Sequence, residues 1–268
     1  MRWPEVEALL KRTDMVIIPV AALEQHSLHL PIGTDYLNGL GRAELIAQKT
    51  DVLVAPILLP GNSPYHMGFP GTITLPAELI QEVYFEAAKS LIKTGFRRFM
   101  FLNSHGGDQA ITRYVVDRIN QETEGIAVEL GQAAAPFMPK RPSSTSSKVF
   151  DRHAGVGETS TSLYMFPNLV DMSAAKTATL TMPDDMTAML PAVVAGDPTA
   201  TLVFLAEGLK AKETGKKTST REMSNTGTWG LRDPHEASAE AGAQATQEFV
   251  DAAVQFIEKW KQLKPMPR

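Results

Sequence analysis

Apolar residues fall along the chain in two rhythms. Continuous runs of strand length, Met15-Val16-Ile17-Ile18-Pro19-Val20, Val52-Leu53-Val54-Ala55-Pro56-Ile57 and Phe99-Met100-Phe101-Leu102, are bounded by polar residues, and a shorter run follows Gly125. These predict buried strands at 15–20, 51–59, 98–103 and 126–130. Between them apolar residues recur every three or four positions, as Val6, Leu9 and Leu10 do, and as Leu37, Leu40, Ala43, Ile46 and Ala47 do. That spacing predicts helices at 3–11, 36–49, 76–94 and 109–120, with Asp35 near the N-cap of the second, Pro76 opening the third and Gly95 closing it. Strands alternating with helices predict an α/β fold in three layers, α/β/α, around a mainly parallel sheet.

Beyond residue 130 the pattern loosens. Residues 132–152 read as a loop with Pro136, Pro139, Pro142 and a Ser/Thr run at 143–147, equally compatible with a connector and with a lid. A helix is predicted from about 160 to 166, an irregular excursion on the surface or at a subunit contact over 168–200, and a helix over 201–213. A polar loop over 215–233 holds the turn Gly227-Thr228-Trp229-Gly230. Residues 236–263 form an amphipathic helix with Ala241, Ala245, Phe249, Ala253, Phe256, Trp260 and Leu263 on one face. No repeat or composition break divides the 268 residues, so one domain over 1–268 is expected.

Composition removes several classes of function. A net charge of −4 leaves no basic surface for nucleic acid. No apolar run reaches the roughly 18 residues of a membrane helix, and the N-terminus lacks the apolar core of a signal peptide, so a cytoplasmic protein is expected. Cysteine is absent. Any bound metal must therefore sit on nitrogen and oxygen, which excludes thiolate sites and Cys nucleophiles.

Histidines and carboxylates collect at the predicted strand exits. Glu24, His26, His29 and Asp35 follow the first strand within about fifteen residues, and the turn Pro31-Ile32-Gly33-Thr34 can bring Asp35 back to Glu24 and His26. His105 follows the third strand as Asn103-Ser104-His105-Gly106-Gly107. The mouths of parallel strands are where α/β proteins bind ligands, and carboxylate with imidazole is a ligand set for zinc, manganese and iron. His66 and His153 lie in other glycine- or turn-rich stretches, and Glu158 at a helix start, where a carboxylate also serves the helix dipole.

Glu24-Gln25-His26 with Asp35, Gly68-Phe69-Pro70-Gly71-Thr72, Asn103-Ser104-His105-Gly106-Gly107 and His153-Ala154-Gly155 through Glu158-Thr159-Ser160 resemble the motifs of the creatininase (creatinine amidohydrolase) family. The resemblance covers about residues 10–165, with a further turn at 227–233. It implies two divalent ions (Zn, Mn or Fe), one held by Glu24, Asp35 and His105 and the other by His26 and Asp35, with Asp35 bridging. Creatininase proper has a metal-binding glutamate where this chain has Gly107, so the second ion lacks a ligand, is bound weakly, or takes Glu158, the economical candidate. The resemblance makes His153 the proton shuttle, with Tyr65, His66, Arg152 and Gly106 lining the substrate site. It implies a metal-activated water attacking the carbonyl of a small cyclic amide or formamide, in a homo-oligomer, by resemblance a hexamer. Creatininase proper has an acidic residue where Arg152 stands, a departure that points away from creatinine. The alternatives are a hydrolase that opens a cyclic ketone such as 3-dehydro-scyllo-inosose, and a metal-free binding protein.

Overall fold

The computed structural model describes residues 1–140, 151–208, 220–228 and 230–265. In chain order, α1 (Trp3–Leu10) precedes β1 (Met15–Val20), α2 (Thr34–Thr50), β2 (Leu53–Val54), α3 (Ala77–Thr94), β3 (Arg98–Asn103), α4 (Gln109–Glu122) and β4 (Ile126–Glu129). Then come α5 (Leu130–Ala134), α6 (Val156–Met165), α7 (Asp184–Val194), α8 (Pro198–Gly208), α9 (Thr220–Met223) and α10 (Ala239–Leu263). The strands form one parallel sheet in the order β2-β1-β3-β4.

Successive strand residues point to opposite faces. Val16, Ile18, Val20, Phe99 and Phe101 enter one apolar cluster with Tyr84 and Phe85 of α3 and Ile111, Val115 and Ile119 of α4. Met15, Ile17, Met100 and Leu102 enter a second with Ala43 and Ile46 of α2, Leu130 of α5, and Val250, Ala253 and Ile257 of α10. Both faces are covered, which is why these strands read as unbroken apolar runs. Ile17 and Ile18 are fully buried, and each contributes about 1.5–3 kcal/mol by leaving water.

This three-layer arrangement places a crevice. The α2 crossover from β1 to β2 lies on one face, and α3 and α4 lie on the other. The winding therefore reverses between β1 and β3, and a ligand crevice opens beyond the carboxyl ends of those two strands. They end together, with Val20 opposite Asn103. Ser104 closes the junction: its N–H donates to Val20 O at 2.9 Å and its hydroxyl to Asp35 O at 2.8 Å.

Four departures from the pattern have local causes. The second strand pairs only at Leu53–Val54, with one more bond from Ala55 N–H to Ile17 O, because Pro56 has no N–H to donate and β2 lies at the edge. Asp35 lies within the first turn of α2, whose N-cap is Gly33. The stretch 168–200 holds α7 and the start of α8, which bury Met186, Val193 and Phe204 with Met182 and Met223 in a third, smaller cluster. Pro191 inside α7 obscures its periodicity. The C-terminal helix starts at Ala239, where the Ser238 hydroxyl accepts the Ala241 N–H at 3.1 Å. The run 143–147, Trp229 and the predicted helix beyond residue 208 lie outside the described residues.

The last layer brings in α6, which packs on α10. Gly242 of α10 faces the Ser160 carbonyl so closely that a methyl group there would overlap it. This contact fixes the N-terminus of α6, and with it Glu158.

Candidate metal centre

The crevice holds a cavity of about 390 Å³ lined by Glu24, Asp35, Tyr65, His66, His105 and Glu158, with Arg152, His153, Gly106, Ser104, Gln109 and Leu205. Among the described residues, three groups of side chains offer ligand atoms within 4.8 Å of one another: Glu24, Asp35 and His105; His26, His153 and Glu158; and Glu24, His66 and His153. Every residue that the sequence placed beside the metals lies in one of these groups, but the group around His26 and Glu158 is completed by His153 where Asp35 was expected. His29 does not, since its Nε2 meets the Thr159 hydroxyl at 2.9 Å, behind α6.

Asp35 stands at the centre. Its Oδ1 lies 3.2 Å from His26 Nε2 and its Oδ2 3.1 Å from His105 Nδ1. Glu24 Oε1 lies 3.4 Å from the same His105 nitrogen and 3.5 Å from both His66 Nε2 and His153 Nδ1. Glu158 Oε1 lies 3.5 Å from His26 Nε2, while its Oε2 accepts the Ala154 N–H at 2.6 Å.

Backbone carbonyls orient the imidazoles. His26 Nδ1 meets Glu24 O at 3.0 Å, and His105 Nε2 meets Asn62 O at 3.2 Å. His153 Nε2 meets Gln25 O at 2.5 Å. A carbonyl only accepts, so each ring donates there and turns its other nitrogen toward the carboxylates. Asn62 is itself held, its N–H donating to Asp108 Oδ1 at 2.9 Å.

The donor set fits a divalent cation. Glu24 and Asp35 are almost wholly buried, yet among the described residues Glu24 Oε2 has no hydrogen-bond partner and Asp35 Oδ2 has only the His105 Nδ1 contact at 3.1 Å. Buried carboxylate oxygens need a counter-charge. Burial alone would lower the pKa of His26 and of His105. Glu158 and Asp35 around the first, and Glu24 and Asp35 around the second, instead raise both well above the usual imidazole value. Burial would raise Asp35, and His26 and His105 outweigh it and hold the carboxyl below its usual range. His66 and His153 go the other way, lowered first by burial and then by neighbouring imidazoles. His66 and His153 stack with ring centroids 4.1 Å apart.

Gly107 has a steric reason. A Cβ there would overlap His105 Nε2 and come within 2.5 Å of Asn62 O and 2.6 Å of the Tyr65 hydroxyl. Tyr65 fills the space that a side chain at 107 would need. Sequence reasoning missed Asn62, Asp108 and Thr220 as supports of the site; only their positions in loops beside motif residues hinted at a role. It quoted Gln25 within a motif and gave it no task.

Residues 1–257 match the family model described as creatininase, creatinine amidohydrolase, and the chain belongs to the creatininase family of hydrolases. Among characterised relatives, a mycofactocin precursor peptide peptidase of Mycolicibacterium smegmatis is 27% identical over 92% of this chain and 85% of its own. A 3-dehydro-scyllo-inosose hydrolase of Thermotoga maritima is 34% identical over 41% of this chain, a match that spans only 36% of that relative. A creatinine amidohydrolase of Pseudomonas putida is 27% identical over 64% of this chain and 72% of its own. A solved creatinine amidohydrolase superposes with a TM-score of 0.68 at 19% identity, covering 100% of this chain and 97% of that one. A manganese form of creatininase gives 0.67 at 20% identity, covering 99% and 97%. No helix among the described residues is long and apolar enough to cross a membrane.

Proposed function

We propose that the chain is a two-metal hydrolase that cleaves an amide carbonyl in a small polar substrate. The observation that carries this reading is the pair of buried carboxylates Glu24 and Asp35 in a cavity lined by imidazoles, with Glu24 Oε2 unpartnered among the described residues and Asp35 Oδ2 facing only His105 Nδ1 at 3.1 Å. Glu24, Asp35 and His105 would hold one ion, and His26, Asp35 and Glu158 the other, with Asp35 shared. When bound, such a pair lowers the pKa of a water and polarises a carbonyl oxygen.

The chain's own groups supply the rest. Backbone carbonyls keep His26 and His105 turned toward the carboxylates, so little reorganisation accompanies loading. His153 holds its Nε2 proton on Gln25 O, which leaves Nδ1 facing Glu24 to take a proton and return it to the leaving nitrogen. Its lowered pKa keeps it in the accepting form near neutral pH. Arg152, Tyr65 and Gly106 line the cavity and would contact substrate. The family model spans nearly the whole chain, which supports a single domain. Exposed Leu169, Leu202 and Val203 support association of the chain with copies of itself, and sedimentation showing only a 29 kDa species would exclude it.

An amide substrate is supported by relatives named as a peptidase and an amidohydrolase. A second reading, opening of a cyclic ketone, is supported by the relative named as an inosose hydrolase. Zinc- or manganese-loaded protein should be assayed side by side on creatinine, N-methylformamide, short peptides and 3-dehydro-scyllo-inosose. Turnover of an amide that stops on chelation and returns with metal is expected. Turnover of the ketone alone would transfer the assignment to the second reading. Protein that binds no metal and turns over nothing would leave a binding protein.

A further inference from the structure

Four imidazoles meet around the buried carboxylates, three of them on the cavity wall, and one is turned the opposite way. His26, His105 and His153 each donate one ring N–H to a backbone carbonyl and offer the second nitrogen to the carboxylates. His66 has no carbonyl behind it. Its Nδ1 lies 2.9 Å from Gln25 Nε2 and 2.8 Å from the Thr220 hydroxyl.

The Gln25 amide is locked in one orientation. Its Nε2 also donates to Gly227 O at 2.8 Å, and its Oε1 accepts the Ser27 N–H at 2.9 Å. Reversing it would set an oxygen against the Gly227 carbonyl and an NH₂ against the Ser27 N–H. One Nε2 proton goes to Gly227 O; the other has His66 Nδ1 at 2.9 Å and the Thr220 hydroxyl at 3.5 Å, and the shorter contact makes Nδ1 the acceptor. The proton of neutral His66 then sits on Nε2, the atom 3.5 Å from Glu24 Oε1 and on the cavity wall. A protonated nitrogen is not a metal ligand.

We infer that His66 is a hydrogen-bond donor to the substrate, its Nε2–H aimed at the oxygen that gains negative charge when the carbonyl is attacked, and not a third ligand beside Glu24 and His153. This rests on the hydrolase reading and adds a residue to it. Gln25 is the positioning residue that sets the tautomer, and Thr220 brings a segment far along the chain to the same nitrogen. Stacking on His153 at 4.1 Å fixes the ring plane between the donor and the proton shuttle.

The test separates donor from ligand. With six histidines in the chain, the two-bond ¹⁵N–¹H spectrum of the zinc-loaded protein can be assigned by the signal lost in His66→Gln. The Nε2–H tautomer is expected for His66; the Nδ1–H tautomer overturns the inference. Zinc titration of apo His66→Phe should give the wild-type stoichiometry and affinities, whereas loss of one equivalent would make His66 a ligand. On whichever of creatinine, N-methylformamide or glycylglycine the wild type turns over, His66→Phe should lose about 100- to 1,000-fold in kcat with little change in KM. His66→Gln, which keeps an N–H donor, should recover part of that loss. A kcat within a few-fold of wild type in His66→Phe overturns the inference. If His66→Phe does not fold, the wild-type tautomer decides alone. If the wild type turns over none of the three, the amide reading fails while the tautomer and stoichiometry remain readable.

Discussion

The two sides of the cavity are built differently. Glu24, Asp35 and His105 leave the ends of β1 and β3 and the first turn of α2, and each is less than 5% exposed. His66, His153 and Glu158 come from a 3₁₀ turn, a loop and the start of α6, and the Glu158 side chain is 28% exposed. His153 and Ala154 both have left-handed backbone, at φ 56° and 55°, a conformation that costs non-glycine residues about 1–3 kcal/mol each and persists only where the surroundings enforce it. One side is fixed by the sheet ladder and cannot move without it. The other is held by side chains and strained loops, so it can be retuned without disturbing the fold. Loop-borne groups on a fixed scaffold are where binding sites commonly vary between relatives.

Substitutions on each side sharpen the contrast. Asp35→Ala should have the largest effect, removing or greatly weakening both ions and abolishing activity, because in the proposed two-metal site one carboxylate would serve both. Metal analysis of the purified variant checks this, and a full two-metal complement would remove the bridging role. His153→Ala should keep both ions and lose about 10²–10⁴-fold in kcat, the range of a lost acid–base group, read by steady-state kinetics. Glu158→Gln should weaken one ion by well over about 100-fold and leave the other nearly unchanged, beyond what outer-shell changes produce. Two calorimetric binding events of unaltered affinity would reduce Glu158 to a helix-end carboxylate worth about 0.3–1 kcal/mol. Gly107→Ala forces a methyl group against His105 Nε2 and Asn62 O, and should cost about 1–3 kcal/mol in thermal or urea unfolding. At the foot of the scale, Arg12→Ala breaks a half-exposed pair with Asp51 and should change stability by less than about 1 kcal/mol.

The same division separates what the sequence showed from what it hid. Met15–Val20 and Arg98–Asn103 were legible because burial on both faces makes a strand uniformly apolar, and Glu24, His26, Asp35 and His105 were legible because they follow those strands directly. His153 stood out only as a histidine in a glycine-rich stretch and took its role from resemblance, as Glu158 did, since nothing near Glu158 tells a ligand from a helix-end charge. Two further features left no local mark. Helix α7 packs its methionines into a cluster remote from the sheet and carries Pro191, which breaks the helical pattern. The Gln25 amide acts through Gly227 and Thr220, and no window of sequence spans both ends of such a contact.

That bond to Gly227 also orders events in time. Gln25 and its acceptor are 202 residues apart, so a ribosome adding about 5–20 residues per second needs roughly 10–40 s after Gln25 is made before Gly227 exists. Throughout that interval β1 can meet β3, while the carboxamide stays in water and the ring of His66 has no partner to choose its tautomer. The cavity is thus among the last parts of a nascent chain to be completed, and a growing polypeptide carries the sheet framework well before it carries the finished site.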